Sequence, residues 1–196
     1  MTTITTADIK QLRDSTGLSV MQCKKALEEA GGDQEKARII LQKKGSEIAS
    51  KKGDRVLAAG VVASYIHASG TVGTMIELSC ETDFVAKNPE FKAIAYDIAM
   101  HIAAQNPKYL KREDISEEDR AKVSETFKEE VKDKPAEMQE KILQGKVDSY
   151  FGDKVLLDQP FIKNPDQKIQ DLVNGAVQKF GERTEIRRFI RFSVSE

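Results

Sequence analysis

CETDFVAKNPEF, residues Cys80–Phe91, marks the place where a strand hands over to a helix. The residues leading into it, TVGTMIELSC (Thr71–Cys80), alternate with a period of two: Val72, Thr74, Ile76, Leu78 and Cys80 share one face, as in a half-buried strand. The residues following it change period. Phe91, Ile94, Ala95, Ile98 and Ile102 recur at helical spacing, with Asn88 as N-cap and Pro89 in the first turn, which predicts a helix to about Gln105. Between the two lie an acid, a hydroxyl, a second acid and a bare aromatic. Asp83-Phe84 therefore falls where a turn is expected, with a carboxylate beside an apolar ring.

Upstream, GVVASYIHA forms the other arm of a hairpin closed by Ser69-Gly70. Val62, Ser64 and Ile66 share one of its faces, and Val61, Ala63, Tyr65 and His67 the other. Residues 1–45 predict a module of three short helices. Thr6 caps the first, which carries Ile9 and Leu12. Ser19 opens the second with Gln22 completing a capping box, and Val20, Cys23, Lys24, Ala26, Leu27 and Ala30 follow, mostly on one apolar stripe. Asp33 caps the third, with Ala37, Ile40 and Leu41 inward, and Gly45 is expected to stop it. Residues 46–59 read as a basic, partly helical linker.

Downstream, residues 116–151 predict an antiparallel helical arm broken near Pro135. Its narrow stripes are Val123, Phe127 and Val131 on one helix, and Met138, Ile142 and Tyr150 on the other. Asn164-Pro165 is expected to open a last helix with Ile169, Leu172, Val173 and Ala176 inward. The final strand, TEIRRFIRFSV, is read with Ile186, Ile190, Phe192 and Val194 on a shared face. The predicted class is α+β: an N-terminal three-helix module, then residues 60–196 as a small antiparallel sheet covered by helices and carrying the arm.

The composition narrows the function. Charged residues make up 32% of the 196 and hydrophobic residues 39%, a balance suited to a helix-rich soluble domain. A net charge of −1 offers no bulk attraction to nucleic acid or a membrane surface. MTTITTADIK has no apolar h-region and no run reaches membrane-spanning length, so a cytoplasmic protein is expected. Two Cys and two His, far apart, predict neither a zinc site nor a disulfide framework. Cys23 and Cys80 lie on apolar stripes as buried thiols, and His67 and His101 have no nucleophile or acid placed beside them. SGTVGT lacks the Lys-Ser/Thr of a phosphate loop. Glu77, Glu81 and Asp83 have no answering acid cluster. No enzyme, cofactor or bound nucleotide is therefore expected.

Phe84 carries two readings. Spacing alone favours folding it under the following helix as a core residue. The other reading holds the ring outward for a groove on a partner, where full burial of a Phe is worth roughly 1.5–3 kcal/mol.

LRDSTGLSVMQCKKALEEAGGD (Leu12–Asp33) and ELSCETDFVAKNPEF (Glu77–Phe91) closely resemble the two signature stretches of the bacterial elongation factor Ts family. QPFIKNP and FIRFSV resemble its C-terminal part, so the likeness spans nearly the whole chain. It implies a ubiquitin-associated-like fold for the three-helix module. It also implies guanine nucleotide exchange on elongation factor Tu, a GTPase of translation elongation. In that scheme Leu12, Arg13, Val20, Met21 and Lys24 dock on the partner's nucleotide domain. Thr82, Asp83, Phe84 and Val85 enter beside the nucleotide and disturb its Mg²⁺, which reverses the core reading of Phe84. Two departures stand out. Ser19-Val20-Met21-Gln22 replaces the usual Gly-Met-Met-Asp, so a shorter Val stands where the family has Met. Longer members also have two core halves, whereas one is counted here. Apolar residues on both sheet faces then predict a homodimer built on the sheet. The alternative from another class is a helical adaptor that binds a partner without promoting exchange.

Overall fold

Three short polar residues begin the N-terminal helices, each accepting a backbone N–H that a first turn leaves unpaired. The computed structural model describes residues 4–132 and 135–194. Thr5, one residue before the expected Thr6, caps α1 (Thr6–Thr16) by accepting the Asp8 N–H at 3.2 Å. Ser19 caps α2 (Val20–Glu29), and Gln22 returns to the Ser19 N–H at 3.0 Å, closing the predicted box. Asp33 caps α3 (Gln34–Lys51). Leu12, Leu18, Cys23, Leu27 and Leu41 are buried together as the module's own core.

β1 (Ala59–Ile66) and β2 (Val72–Cys80) form the expected antiparallel hairpin, with Ala63 opposite Ile76. Thr74, Ile76, Leu78 and Cys80 are buried on the inner face, as the alternation predicts. His67 lies beyond the strand end, exposed in the loop, where its Nδ1 pairs with Ser69 Oγ at 2.9 Å; it does not continue the alternation. Residues after the hairpin form α4 (Asp83–Lys87) and α5 (Pro89–Gln105). Asn88 caps α5 by accepting the Glu90 N–H at 2.8 Å. Phe91, Ala95, Ile98 and Ile102 are fully buried against the inner sheet face.

α6 (Glu117–Val131) and α7 (Ala136–Gly152) form the arm. Val123, Phe127 and Val131 line it as expected, but the answering stripe differs from prediction. Met138 is exposed and Ile142 half-buried; Tyr150 is partly exposed, with its ring edge-on to Phe127, and Leu143, Val147 and Phe151 face inward beside it. Steps of four residues along α7 carry this stripe to Ile115 and Val155, which close a third small core at the arm's base.

Asn164-Pro165 does not open the last helix. Pro160–Phe161 (β3) and Asn164–Lys168 (β4) pair as a ribbon, because the φ that suits Pro to a first helical turn also suits extended chain. The helix α8 (Ile169–Phe180) starts after Lys168, whose N–H is taken by the Asp171 carboxylate at 3.2 Å. β5 (Thr184–Ser193) then completes a sheet of order β1-β2-β5. Its expected common face is broken. Leu78 pairs with Ile186 and Glu77 with Arg188, so Arg187 is an extra residue in a β-bulge. Every side chain beyond the bulge changes sides. Ile186 is buried, whereas Ile190, Phe192 and Val194 stand exposed on the outer face.

Gly45 does not stop α3 either, and residues 46–51 of the expected linker continue the helix. The glycine serves close approach. A Cβ at this position would lie 3.1 Å from Gln178 Oε1 and 3.5 Å from the Asn174 carbonyl, so its absence lets α3 lie against α8. Asn174 Nδ2 donates to Ser46 Oγ at 3.0 Å across that contact. The three-helix module is thereby seated on the helix that covers the sheet.

Candidate partner-binding site

α4 is too short to be held by its own hydrogen bonds, so its position is set by what flanks it. Val85 and Ala86 point into the main core beneath β1 and β2; Val85 is 4% exposed. Phe84 points the opposite way and is 82% exposed, the most exposed aromatic ring among the described residues. The Thr82–Val85 set is thus divided: Val85 anchors and Phe84 projects. Asp83 stands exposed next to it, its Oδ2 accepting from Lys87 Nζ at 2.5 Å. That hydrogen bond, and the Lys87 charge behind it, keeps the Asp83 carboxyl below the usual aspartate range. The residue is ionised at neutral pH, and one flexible lysine faces it.

The sequence reading missed the groups that fix the approach to this helix. Glu182 lies between α8 and β5 and is 100 residues away from Thr82 in sequence. Its carboxylate accepts the Glu81 N–H at 3.1 Å and the Thr82 N–H at 2.9 Å through Oε2, and the Thr82 hydroxyl at 2.5 Å through Oε1. The Glu81 carboxylate reciprocates. It accepts the Arg183 N–H at 2.5 Å and pairs with Arg55 at 3.1 Å. The Arg183 N–H, followed by Arg55, holds the Glu81 carboxyl below its ordinary range. Thr82 spends its hydroxyl on this clasp and caps nothing within α4. No local pattern signals such a pairing.

The second group of predicted residues lies on the three-helix module. Leu12 is 1% exposed and belongs to its core, so it shapes the surface from beneath. Arg13, Val20, Met21 and Lys24 are all exposed. Val20 and Met21 occupy the first turn of α2, and Lys24 lies one turn further on the same side, paired with Glu28 at 3.8 Å. Val20 and Met21 form an unburied apolar pair on a helix whose inner face is already filled. The two groups are tied through α8: Lys179 pairs with Glu90 in the first turn of α5, and a Cβ on Gly17 would lie 3.1 Å from Lys179 Nζ.

Burial pushes the Cys23 and Cys80 thiols up, with the Glu182 charge adding to the effect at Cys80. His101 is fully buried, its Nε2 paired with Gln159 Oε1 at 3.0 Å and its Nδ1 accepting the Ile162 N–H at 3.3 Å. Among the described residues no group of three or more His, Cys, Asp or Glu could hold a metal ion. No helix among them is long and apolar enough to cross a membrane.

Known proteins resemble this chain over nearly its whole length. The family model described as elongation factor TS matches residues 5–196. Elongation factor Ts of Thermodesulfovibrio yellowstonii is 50% identical over 194 residues, covering 98% of this chain and 97% of that protein. Those of Carboxydothermus hydrogenoformans and Thermotoga petrophila are 48% and 44% identical, over 98% and 96% of this chain and 90% and 94% of theirs. The chain belongs to the elongation factor Ts family.

Proposed function

We propose that this chain is a guanine nucleotide exchange factor for elongation factor Tu, acting in the cytoplasm during translation elongation without catalytic chemistry of its own. The observation that carries the reading is Phe84: a ring left 82% exposed on a turn of helix whose next two residues are buried. Val20, Met21, Arg13 and Lys24 dock on the GTPase. Thr82, Asp83 and Phe84, backed by Val85, enter beside the nucleotide and displace the elements that hold Mg²⁺ and phosphate. The exchange follows from linkage: whatever factor this protein takes off nucleotide affinity, the nucleotide takes off the affinity for this protein. GDP leaves from a transient ternary complex, and GTP then displaces the exchange factor. No nucleotide, metal or nucleic acid need bind to the chain itself.

The chain acts in this reading as a homodimer. Val62, Ile66, Met75, Ile190 and Phe192 give the outer face of the three-stranded sheet an apolar patch beside the Glu77–Arg188 ion pair, with Phe192 67% exposed. Ile76 and Leu78, together with Val61, Tyr65 and Phe189, lie instead toward the inner core. A twofold-related copy stacking sheet on sheet covers that face and supplies a second core half.

Release of a fluorescent GDP analogue from elongation factor Tu tests the first reading. Acceleration at catalytic amounts of the chain is expected; binding without acceleration would leave an adaptor. Sedimentation equilibrium at micromolar concentration tests the second, and a single species at 21.9 kDa would refute it.

A further inference from the structure

Phe84 makes its contacts on another molecule, so the chain must hold it in place by what lies on either side. After it, Val85 and Ala86 are locked in the core. Before it, the Glu182 carboxylate takes both backbone N–H groups, those of Glu81 and Thr82, and the Thr82 hydroxyl, while the Thr82 carbonyl accepts from Cys80 Sγ at 3.2 Å. Within α4 the backbone bonds are few: the Ala86 N–H reaches the Thr82 carbonyl at 3.2 Å, and the Asn88 N–H reaches Val85 at 3.0 Å. Glu182 also immediately precedes Arg183, whose N–H is held by Glu81. Two carboxylates thus exchange backbone donors between the end of β2 and the start of β5.

We propose that Glu182 is a positioning residue for nucleotide exchange: its carboxylate fixes the backbone at Glu81 and Thr82 so that Asp83 and Phe84 are presented to the partner in one orientation. This rests on the exchange reading above. A ring that must be ordered at the moment of insertion wastes part of its burial on that ordering, whereas a ring held in advance does not. Small misplacements of a group that acts at a distance from its own chain cost rate disproportionately. Glu182 touches neither partner nor nucleotide in this scheme, so it acts only through the Thr82–Phe84 segment.

The test is a double-mutant cycle on GDP release from elongation factor Tu, using the full chain and varying its concentration to separate the maximal rate from half-saturation. Glu182→Ala should lower the maximal rate on the order of tenfold, with half-saturation little changed because docking resides on α1 and α2. In a Phe84→Ala background the same change should have almost no further effect. Glu182→Gln should stay close to the parent. Its amide oxygen can accept both backbone N–H groups, and its amide nitrogen can donate to the Thr82 hydroxyl. If Glu182→Ala does not fold, Glu182→Asp keeps the charge but draws the carboxylate back by one methylene, and should give a smaller loss that likewise vanishes without Phe84. Equal losses with and without Phe84, a parent-like Glu182→Ala, or a Glu182→Gln as slow as Glu182→Ala would each overturn the proposal. Parent-like exchange by Phe84→Ala alone would instead overturn the exchange reading on which it rests.

Discussion

Phe84→Ala separates folding from function on quantities the structure supplies. Complete burial of a Phe is worth roughly 1.5–3 kcal/mol, but only about a fifth of Phe84 is buried in the chain itself, since it is 82% exposed. Its own contribution to folding is therefore about 0.5 kcal/mol. Ala, a better helix former by a similar amount, offsets much of that within α4. A chain of this size shifts its melting temperature by about 2–4 °C per kcal/mol, so a change of at most about 2 °C is expected. In the partner's groove the whole ring is at stake. A loss of about 2 kcal/mol there corresponds to roughly thirtyfold in exchange rate. Thermal melting followed by circular dichroism and stopped-flow release of a fluorescent GDP analogue give the two numbers on the same preparation. A melting temperature lower by about 8 °C or more, with undiminished exchange per folded molecule, would refute the reasoning: Phe84 would then belong to the core.

Other expected outcomes probe the remaining surfaces. Replacing both Val20 and Met21 by Ala should weaken binding to elongation factor Tu about tenfold by calorimetry and leave the maximal exchange rate nearly intact; Val20→Met, which restores the family's usual side chain, should tighten it. Phe192→Asp should leave a monomer in sedimentation with a melting profile little changed at low concentration, because Phe192 is 67% exposed within one chain; a dimer that survives would place the interface elsewhere. His101 is buried and uncharged, so burial sets its folded pKa below that of the unfolded chain. The unfolded state then binds the extra proton first. The contribution of His101 to stability is complete above its ordinary pKa of about 6.5 and declines as pH falls from there toward the folded value. Denaturant midpoints should drop between pH 7.5 and pH 5.5 in the parent and stay flatter in His101→Gln; parallel slopes would exclude His101 as the source.

What the sequence determined alone is what neighbours in sequence determine. Ser19 with Gln22, Asp33, and Asn88 before Pro89 start their helices where expected, because a cap is a bond between residues three apart or fewer. The inner face of β2 and the buried stripe of α5 were legible for the same reason: period two and period 3.6 are local properties of a backbone. The exposed Phe84 was identified through resemblance rather than spacing, since a ring one residue ahead of a buried Val85 looks like core until the direction of α4 is known. The tertiary structure decided the rest through contacts between distant segments. Gly45 looks like a helix stop but is a close-packing point, because α8 lies against it. Arg187 looks like an ordinary strand residue but is a bulge, because pairing with β2 skips it and turns Ile190 and Phe192 outward. Glu182 looks like a solvated loop acid until the chain folds back through about 100 residues and brings it to the backbone of Thr82, where two N–H groups and a hydroxyl need one acceptor.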